Sequence, residues 1–338
     1  MTAKLTEAWY QFPARRSPLE PLGWLYGALS ALRRRAYAAG LLEAWRAPCP
    51  VIVIGNLTVG GTGKTPLTLW LAGALRARGL AAGILSRGYG RTGTAVAVVE
   101  PGSDWRAVGD EPLLLRRRSG CPTVVAADRR AGARALLQLG ARVILCDDGL
   151  QHLRLARDLE IVVIDGARGF GNGRLLPAGP LREPPARLGR ADLAVVNGPP
   201  THASLEGAGP LLQMDLALGE AHALGDGGAR PLEGFRAAPV HAVAGIGNPQ
   251  RFFAALRSRG LTLTEHAFPD HHPFSAADLA FGDGRAVLMT EKDAVKCTPF
   301  AAPHLWYVPA QAQFAPEAAR TLLGRVAIAV GDPGVAGS

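Results

Sequence analysis

Eight consecutive residues, Thr58, Val59, Gly60, Gly61, Thr62, Gly63, Lys64 and Thr65, carry the most specific chemistry in this 338-residue chain. Glycines at 60, 61 and 63 let backbone N–H groups converge on one anion, Lys64 can reach the β and γ oxygens of a nucleoside triphosphate, and the Thr65 hydroxyl can ligate Mg2+. The strict pattern G-x-x-x-x-G-K-[ST] asks for Gly at 58, where this chain has Thr. Position 58 must then do without a positive φ, while the G-K-T end is intact. A second candidate is the apolar run 143–146, which ends in Asp147 and Asp148 as a metal-holding strand of such an enzyme would. Taken alone, two adjacent aspartates after a strand also suit a turn or a helix cap. Their side chains project to different sides, so one is expected near Mg2+ and the other in support.

A phosphate loop works only between a strand and a helix. The flanks fit: 51–54 is a β-branched apolar run, and Leu67, Leu71 and Leu75 recur at helical spacing after the loop. Similar runs at 95–99, 123–126, 143–146, 161–164 and 194–196 alternate with helical stretches and are apolar throughout. Strands covered on both faces by helices read this way, which predicts a doubly wound, mainly parallel α/β sheet. Residues 199–236, rich in Gly, Pro and Ala, break the rhythm and read as a linker with a short hairpin around 211–218. The pattern resumes with a strand at 240–244, a turn at 245–248, a helix at 249–259, and strands at 261–267, 286–289 and 305–308. The expected division is an N-terminal segment 1–48, a nucleotide-binding domain 49–198, a linker 199–236 and a smaller α/β domain 237–329.

Composition narrows the partners. With 48% hydrophobic and 19% charged residues the chain is an ordinary globular mixture, and its four dispersed cysteines suggest neither a zinc site nor a disulfide framework. No secretory h-region and no run of 18 apolar residues occurs, so a cytoplasmic protein that does not span a membrane is expected. Of the net +9 charge, a large share falls in residues 1–50, where Leu22, Leu25, Tyr26, Leu29 and Leu32 recur at helical spacing before Arg33, Arg34 and Arg35. Aromatic residues concentrate there too, at Trp9, Tyr10, Phe12, Trp24, Tyr26, Tyr37 and Trp45. Such a segment suits a helix lying in the headgroup region of an anionic leaflet, the alternative being a stripe packed on the protein core. A basic stripe interleaved with stacking aromatics is absent outside the N-terminus, so no nucleic-acid partner is expected, and no obligate protein partner is evident.

Further motifs make the chain recognisable: N-L-T-V-G-G-T-G-K-T at 56–65, S-R-G-Y-G-R at 86–91, G-D-E-P at 109–112, D-D-G-L-Q-H at 147–152 and I-D-G-A-R-G-F-G-N-G-R-L-L-P-A-G-P-L-R-E-P at 164–184. V-A-G-I-G-N-P-Q-R-F-F at 243–253, F-P-D-H-H-P-F at 268–274 and T-E-K-D-A-V-K at 290–296 continue the match. Together, from about residue 15 to about 325, they closely resemble the tetraacyldisaccharide 4'-kinase family, the lipid A 4'-kinases of Gram-negative bacteria. The resemblance implies a P-loop NTPase-type fold of two α/β/α domains with the active site between them, and it accounts for Thr58. It further implies ATP- and Mg2+-dependent phosphorylation of the 4'-hydroxyl of a lipid-linked disaccharide, tetraacyldisaccharide 1-phosphate, to give lipid IVA. The enzyme would sit peripherally at the cytoplasmic face of the inner membrane, on its anionic surface.

By the same resemblance Asp110 is the catalytic base, although by residue type alone it better suits the N-terminal cap of the helix that follows. His271, within Asp270-His271-His272, is its implied partner, with His272 the competing choice. Arg182 would meet phosphate charge, and Glu183 would join Thr65, Asp147 and Asp148 around Mg2+. As residues alone, Arg182 and Glu183 also suit an exposed ion pair. Gln151, His152, Arg87 and Arg91 fall near the nucleotide or acceptor without a defined role. T-E-K-D at 290–293 has Lys292 and Asp293 adjacent, the wrong spacing for the N-K-x-D of guanine recognition, which leaves ATP as the nucleotide. The competing class is a membrane-associated P-loop regulatory ATPase, which would turn over ATP without an acceptor.

Overall fold

The computed structural model describes residues 9–10, 17–225 and 227–332. The chain runs through helix α1 (Glu20–Ala38), strand β1 (Val51–Gly55), α2 (Lys64–Ala77), β2 (Ala82–Ser86), β3 (Ala97–Val98), α3 (Trp105–Val108), α4 (Asp110–Ser119), β4 (Thr123–Val125), α5 (Arg129–Gln138), β5 (Val143–Asp147), β6 (Leu159–Asp165), β7 (Leu193–Asn197) and β8 (Leu212–Leu218). These strands form one sheet in the order β8-β7-β6-β1-β5-β2-β4-β3, parallel except for β3. Strands β1, β5 and β6 are buried along their whole length because helices cover both faces. On one face Ile52 and Ile54 meet Leu67, Leu71 and Leu75 of α2; on the other Ile144 and Val124 meet Leu136 and Ala133 of α5.

The first sheet departs from expectation twice. Residues 95–99, read as an interior parallel strand, contribute only the two-residue antiparallel edge strand β3, whose Val98 is solvent-exposed. The interior position belongs to β2, which sequence reading passed over; its Gly83 leaves room for Leu136 and Ala141 to pack directly on the strand.

A second sheet follows from β9 (Ala221–Ala223), β10 (Ala229–Arg230), β11 (Val240–Ala244), α6 (Pro249–Ser258), β12 (Leu263–Ala267), β13 (Val287–Thr290), α7 (Glu291–Cys297) and β14 (Leu305–Val308), in the strand order β10-β9-β14-β13-β11-β12. Phe252, Phe253 and Leu256 of α6 cover one face, and Phe274, Leu279 and Ala294 the other. The chain then returns to the first sheet through β15 (Ala310–Phe314), antiparallel to β8, and α8 (Pro316–Val330), whose Leu322 and Val326 join the core beneath α2.

The segment 199–236 is therefore not a free linker. Its β8 extends the first sheet beside β7, and β9 and β10 open the second. Nor does the second domain run on to 329, because 310–330 belong to the first sheet. Alternation in β8 and β15 places one residue type inward and the other in solvent, a weaker signal than a buried parallel run. The two crossings lie side by side, the Gly219 amide donating to Pro309 O at 2.9 Å.

Candidate active site

The phosphate loop joins β1 to α2, and it is shaped by two glycines in the left-handed region, Gly60 (φ 99°) and Gly63 (φ 101°). A side chain at 63 would collide with Asn197 and crowd Met214; Asn197, at the end of β7, donates from Nδ2 to Thr62 O at 2.9 Å. Thr58 bridges antiparallel to Leu181, and the Val59 amide donates to Pro180 O at 2.8 Å. Position 58 is thus strand-like and takes Thr without strain. Behind the loop, Tyr10 Oη donates to Val59 O at 3.0 Å.

The paired aspartates diverge as their adjacency requires. Asp147, the last residue of β5, is buried; its Oδ1 accepts from Thr68 Oγ1 at 3.2 Å and its Oδ2 has no partner. Burial pushes its carboxyl well above the usual range, Glu111 and Asp148 adding to the effect and Lys64 opposing it. Asp148, at φ 51°, lies 3.5 Å from Lys64 Nζ and 3.1 Å from Arg182 Nη1. Burial would raise its carboxyl too, but Lys64 and Arg182 outweigh burial and hold it below the ordinary range. Thr65 follows in the first turn of α2 and is half-buried. Glu183 is buried among Gln151 Nε2 at 3.0 Å, Arg34 at 3.3 Å and Arg187 at 3.5 Å, so it is not an exposed loop ion pair.

The second domain meets this loop directly. A Cβ at Gly247 would overlap the Gly61 amide, and Arg168 Nη1 donates to Gly247 O at 2.5 Å. Asp165, buried at the end of β6, accepts from Asn248 Nδ2 at 3.3 Å and Arg251 Nη2 at 3.0 Å. At the same junction His271 Nδ1 donates to Asp110 Oδ2 at 3.0 Å across 161 residues of sequence. Gly109 caps α4, which makes Asp110 its first residue, buried and bonded across the domains; the cap reading of Asp110 does not hold. His271 sits at φ 61°, its amide donating to Gly245 O at 3.2 Å. His272 turns away to Asp278, at 3.3 Å.

Charge is divided sharply within this pair. Burial alone would raise the Asp110 carboxyl, yet the bond from His271 and the charges of Lys292, His271 and Lys296 hold it well below the usual carboxylate range. Burial would lower His271, but its bond to Asp110 outweighs burial and raises it. The pairing favours the charged form of each partner. Nearby, His152 is pushed down to about 4 by burial and by Arg129 and Arg87. Arg91 donates from Nη2 to Ala95 O at 2.6 Å, and Gln151 from Nε2 to Asn56 O at 3.3 Å.

Helix α1 packs by its small residues. Gly23 and Gly27 rest on Leu175, Glu20 lies 3.0 Å from Arg174, and Arg34 turns inward to Glu183. Leu22, Trp24, Leu25, Leu29 and Leu32 face solvent, so the apolar stripe is not packed on the core. Among the described residues no helix is long and apolar enough to cross a membrane. Three of the aromatics assigned to a membrane interface belong to the body instead: Trp9 is buried with Nε1 donating to Pro177 O, Tyr10 braces the loop, and Trp45 packs against the hydrophobic core. Phe12 lies outside the described residues.

Sequence reading missed Asn197, Arg129 and Lys296, and it placed Arg34 in the basic run at the membrane rather than on Glu183. Arg129 is buried with Nη1 on Ala126 O at 3.1 Å. Asn197 and Lys296 carried one weak signal each, a polar residue closing or interrupting an apolar run.

Comparison with known proteins is consistent across most of the length. The family model of tetraacyldisaccharide-1-P 4'-kinase matches residues 15–327. A tetraacyldisaccharide 4'-kinase of Nitrosococcus oceani is 51% identical over 303 residues, 89% of this chain and 88% of that protein. One from Pseudomonas aeruginosa is 49% identical over 315 residues, 91% and 92% of the two chains. The crystal structure of the "apo" form of LpxK from Aquifex aeolicus in complex with ATP superposes with a TM-score of 0.76 at 30% identity, covering 92% of this chain and 98% of that one.

Proposed function

The chain belongs to the tetraacyldisaccharide-1-P 4'-kinase family, and on that basis we propose how its residues carry the reaction. The protein is an ATP-dependent kinase that phosphorylates the 4'-hydroxyl of tetraacyldisaccharide 1-phosphate to give lipid IVA in lipid A biosynthesis. A regulatory ATPase is not favoured by these relatives. The observation that carries the assignment of roles is the bond from His271 to Asp110, made between the two domains where both meet the phosphate loop.

The residues present fit ATP with Mg2+. Thr62 Oγ1 and Asp147 Oδ2 are buried without partners, and Asp147 sits among like charges that a divalent cation would relieve. Thr58, Val59, Gly60, Gly61, Thr62 and Gly63 form the cradle, and Lys64 reaches the phosphate oxygens when it leaves Asp148. Thr65, Asp147 and Asp148 would hold the metal, with Glu183 outermost because Arg34, Arg187 and Gln151 share its carboxylate. Bound there, Mg2+ would neutralise charge on the transferring phosphoryl group. Among the described residues no group of three or more His, Cys, Asp or Glu forms a metal cage by itself; P-loop sites draw much of the shell from phosphate and water.

Asp110 orients the acceptor hydroxyl and takes its proton as the new O–P bond forms and the bond to the β-phosphate oxygen breaks, ADP leaving. His271 fixes that carboxylate. Arg182, shared with Asp148, meets phosphate charge. The outward leucines of α1, with Arg33 and Arg35 exposed beside them, would rest on an anionic leaflet, the cytoplasmic face of the inner membrane, where the four acyl chains of the acceptor remain.

The test is ATP turnover with and without tetraacyldisaccharide 1-phosphate, with mass analysis of the lipid. Strong dependence on acceptor and a gain of one phosphoryl group are expected. Equal turnover without acceptor would refute the assignment.

A further inference from the structure

The segment T-E-K-D-A-V-K has no step in the proposed reaction, yet it folds into α7 against the Asp110 pair. Lys296 has a side chain 1% exposed, with Nζ 2.9 Å from Asp293 Oδ1, 3.7 Å from Asp110 Oδ2 and 5.1 Å from the centre of the Phe274 ring. Asp293 is wholly buried, and its Oδ2 is occupied, accepting from the Gly245 amide at 2.8 Å and Thr290 Oγ1 at 2.6 Å. One buried ammonium is therefore shared between a carboxylate of its own domain and a carboxylate of the other. A buried ion pair can be replaced by apolar side chains with little or no loss of stability, so stability gives no reason for an ammonium at this point.

The groups that face Asp110 are His271 from the loop after β12, Lys292 and Lys296 from α7, and the Glu111 backbone amide, which donates to Asp110 Oδ1 at 2.8 Å. Lys292 is shared with Glu111 at 2.9 Å and Asp270 at 3.1 Å, and its charge favours the Asp110 carboxylate as well. Asp110 and Asp293 are the two carboxylates that face the Lys296 ammonium, one from each domain. Asp293 also ties Lys296 to Gly245, whose carbonyl accepts from the His271 amide at 3.2 Å. Both partners of Asp110 thus hang from one small framework.

We propose that Lys296 is a positioning residue for phosphoryl transfer, its buried ammonium holding the Asp110 carboxylate ionised and in register with His271 once the second domain has met the first. The inference rests on the reading of Asp110 as the group that takes the acceptor's proton. It separates Lys296 from a counter-ion of Asp293, which would serve the second domain alone.

Three variants test it, Lys296→Met, Lys296→Met combined with Asp293→Asn, and Asp110→Asn, each assayed for kcat, for KM of ATP and acceptor, and for the pH profile of kcat. Lys296→Met should lower kcat by roughly 10- to 100-fold, the lower range for losing support of a general base, with KM for ATP unchanged. The acid limb of its profile should move up in pH, since a cation within about 4–6 Å favours the carboxylate form. The double variant removes Asp293's charge with its partner while the Asn carbonyl keeps the Gly245 and Thr290 bonds, which guards against unfolding. It should show the same loss and the same shifted limb. Return of kcat and limb to wild-type values in the double variant would make Lys296 only the counter-ion of Asp293 and overturn the proposal. Normal turnover in Asp110→Asn would sink the proton-acceptor reading itself, whereas an inactive Asp110→Asn beside unaffected Lys296 variants sinks only the positioning role.

Discussion

Replacing Leu22, Leu25, Leu29 and Leu32 by Ser should detach the protein from lipid without loosening its fold. These side chains are 53%, 57%, 59% and 65% exposed, while the contacts of α1 with the body run through Gly23, Gly27, Glu20 and Arg34. Burying a whole leucine is worth about 1.5–3 kcal/mol, so submerging the exposed part of each should be worth about 1 kcal/mol. For four that is about 4 kcal/mol, or roughly a 10³-fold fall in partition coefficient at about 1.4 kcal/mol per decade. Co-sedimentation with vesicles containing anionic lipid would measure it, at low and high salt to separate the contribution of Arg33 and Arg35. The thermal midpoint should stay put, and turnover on acceptor dispersed in detergent should persist. A change in partitioning below about tenfold would refute the argument, because it would mean that the outward face of α1 does not enter the lipid.

Gly63→Ala forces a Cβ into a φ of 101° against Asn197; the backbone strain alone is about 1–2 kcal/mol, and a raised KM for ATP with a lowered thermal midpoint should follow. Lys64→Ala should lower kcat by roughly 10²-fold or more, the scale of losing an electrostatic contribution, while the midpoint of unfolding changes little; a near-normal rate would exclude its phosphate role. The His271 to Asp110 bond has a pH window. His271 is raised, so its contribution is full below the unfolded value of about 6.5 and is lost as pH rises through the folded value; Asp110 is lowered, so its contribution is full above about 3.9 and is lost as pH falls through the folded value. The difference in thermal midpoint between wild type and His271→Ala should be greatest between those limits and shrink in alkali, and a difference that grows with pH would contradict the pairing.

What could be read in the sequence was local. The loop at 58–65 announced itself because strand, glycines, lysine and helix are contiguous, and the buried strands β1, β5 and β6 because both of their faces are apolar. Strand β2 escaped because A-G-I-L-S carries small residues where α5 crowds it, and β15 because its alternating pattern resembles a polar connection; the stretch of β8 was read as a local hairpin, whereas its partners are the distant β7 and β15. Trp9 looked interfacial by residue type, and only its bond to Pro177 shows it inside. Spacing alone could not pair the charges around Asp110: His271, named as its partner only through the family resemblance, is 161 residues away, and Lys292 is 181 from its partner Glu111, separations at which no periodicity pairs one side chain with another.

The return of the chain to its first sheet bears on biosynthesis. Strand β8 has β7 on one side, but its other edge is closed only by β15, and part of the core beneath α2 waits for Leu322 and Val326 of α8. A ribosome releases these pieces last, after all six strands of the intervening sheet have emerged. The nascent nucleotide-binding domain must therefore persist with a bare edge and an uncovered apolar face, a state prone to sticking to other chains. A chain stopped just short of residue 310 would contain every residue of the proposed active site and still lack the clasp that finishes the domain.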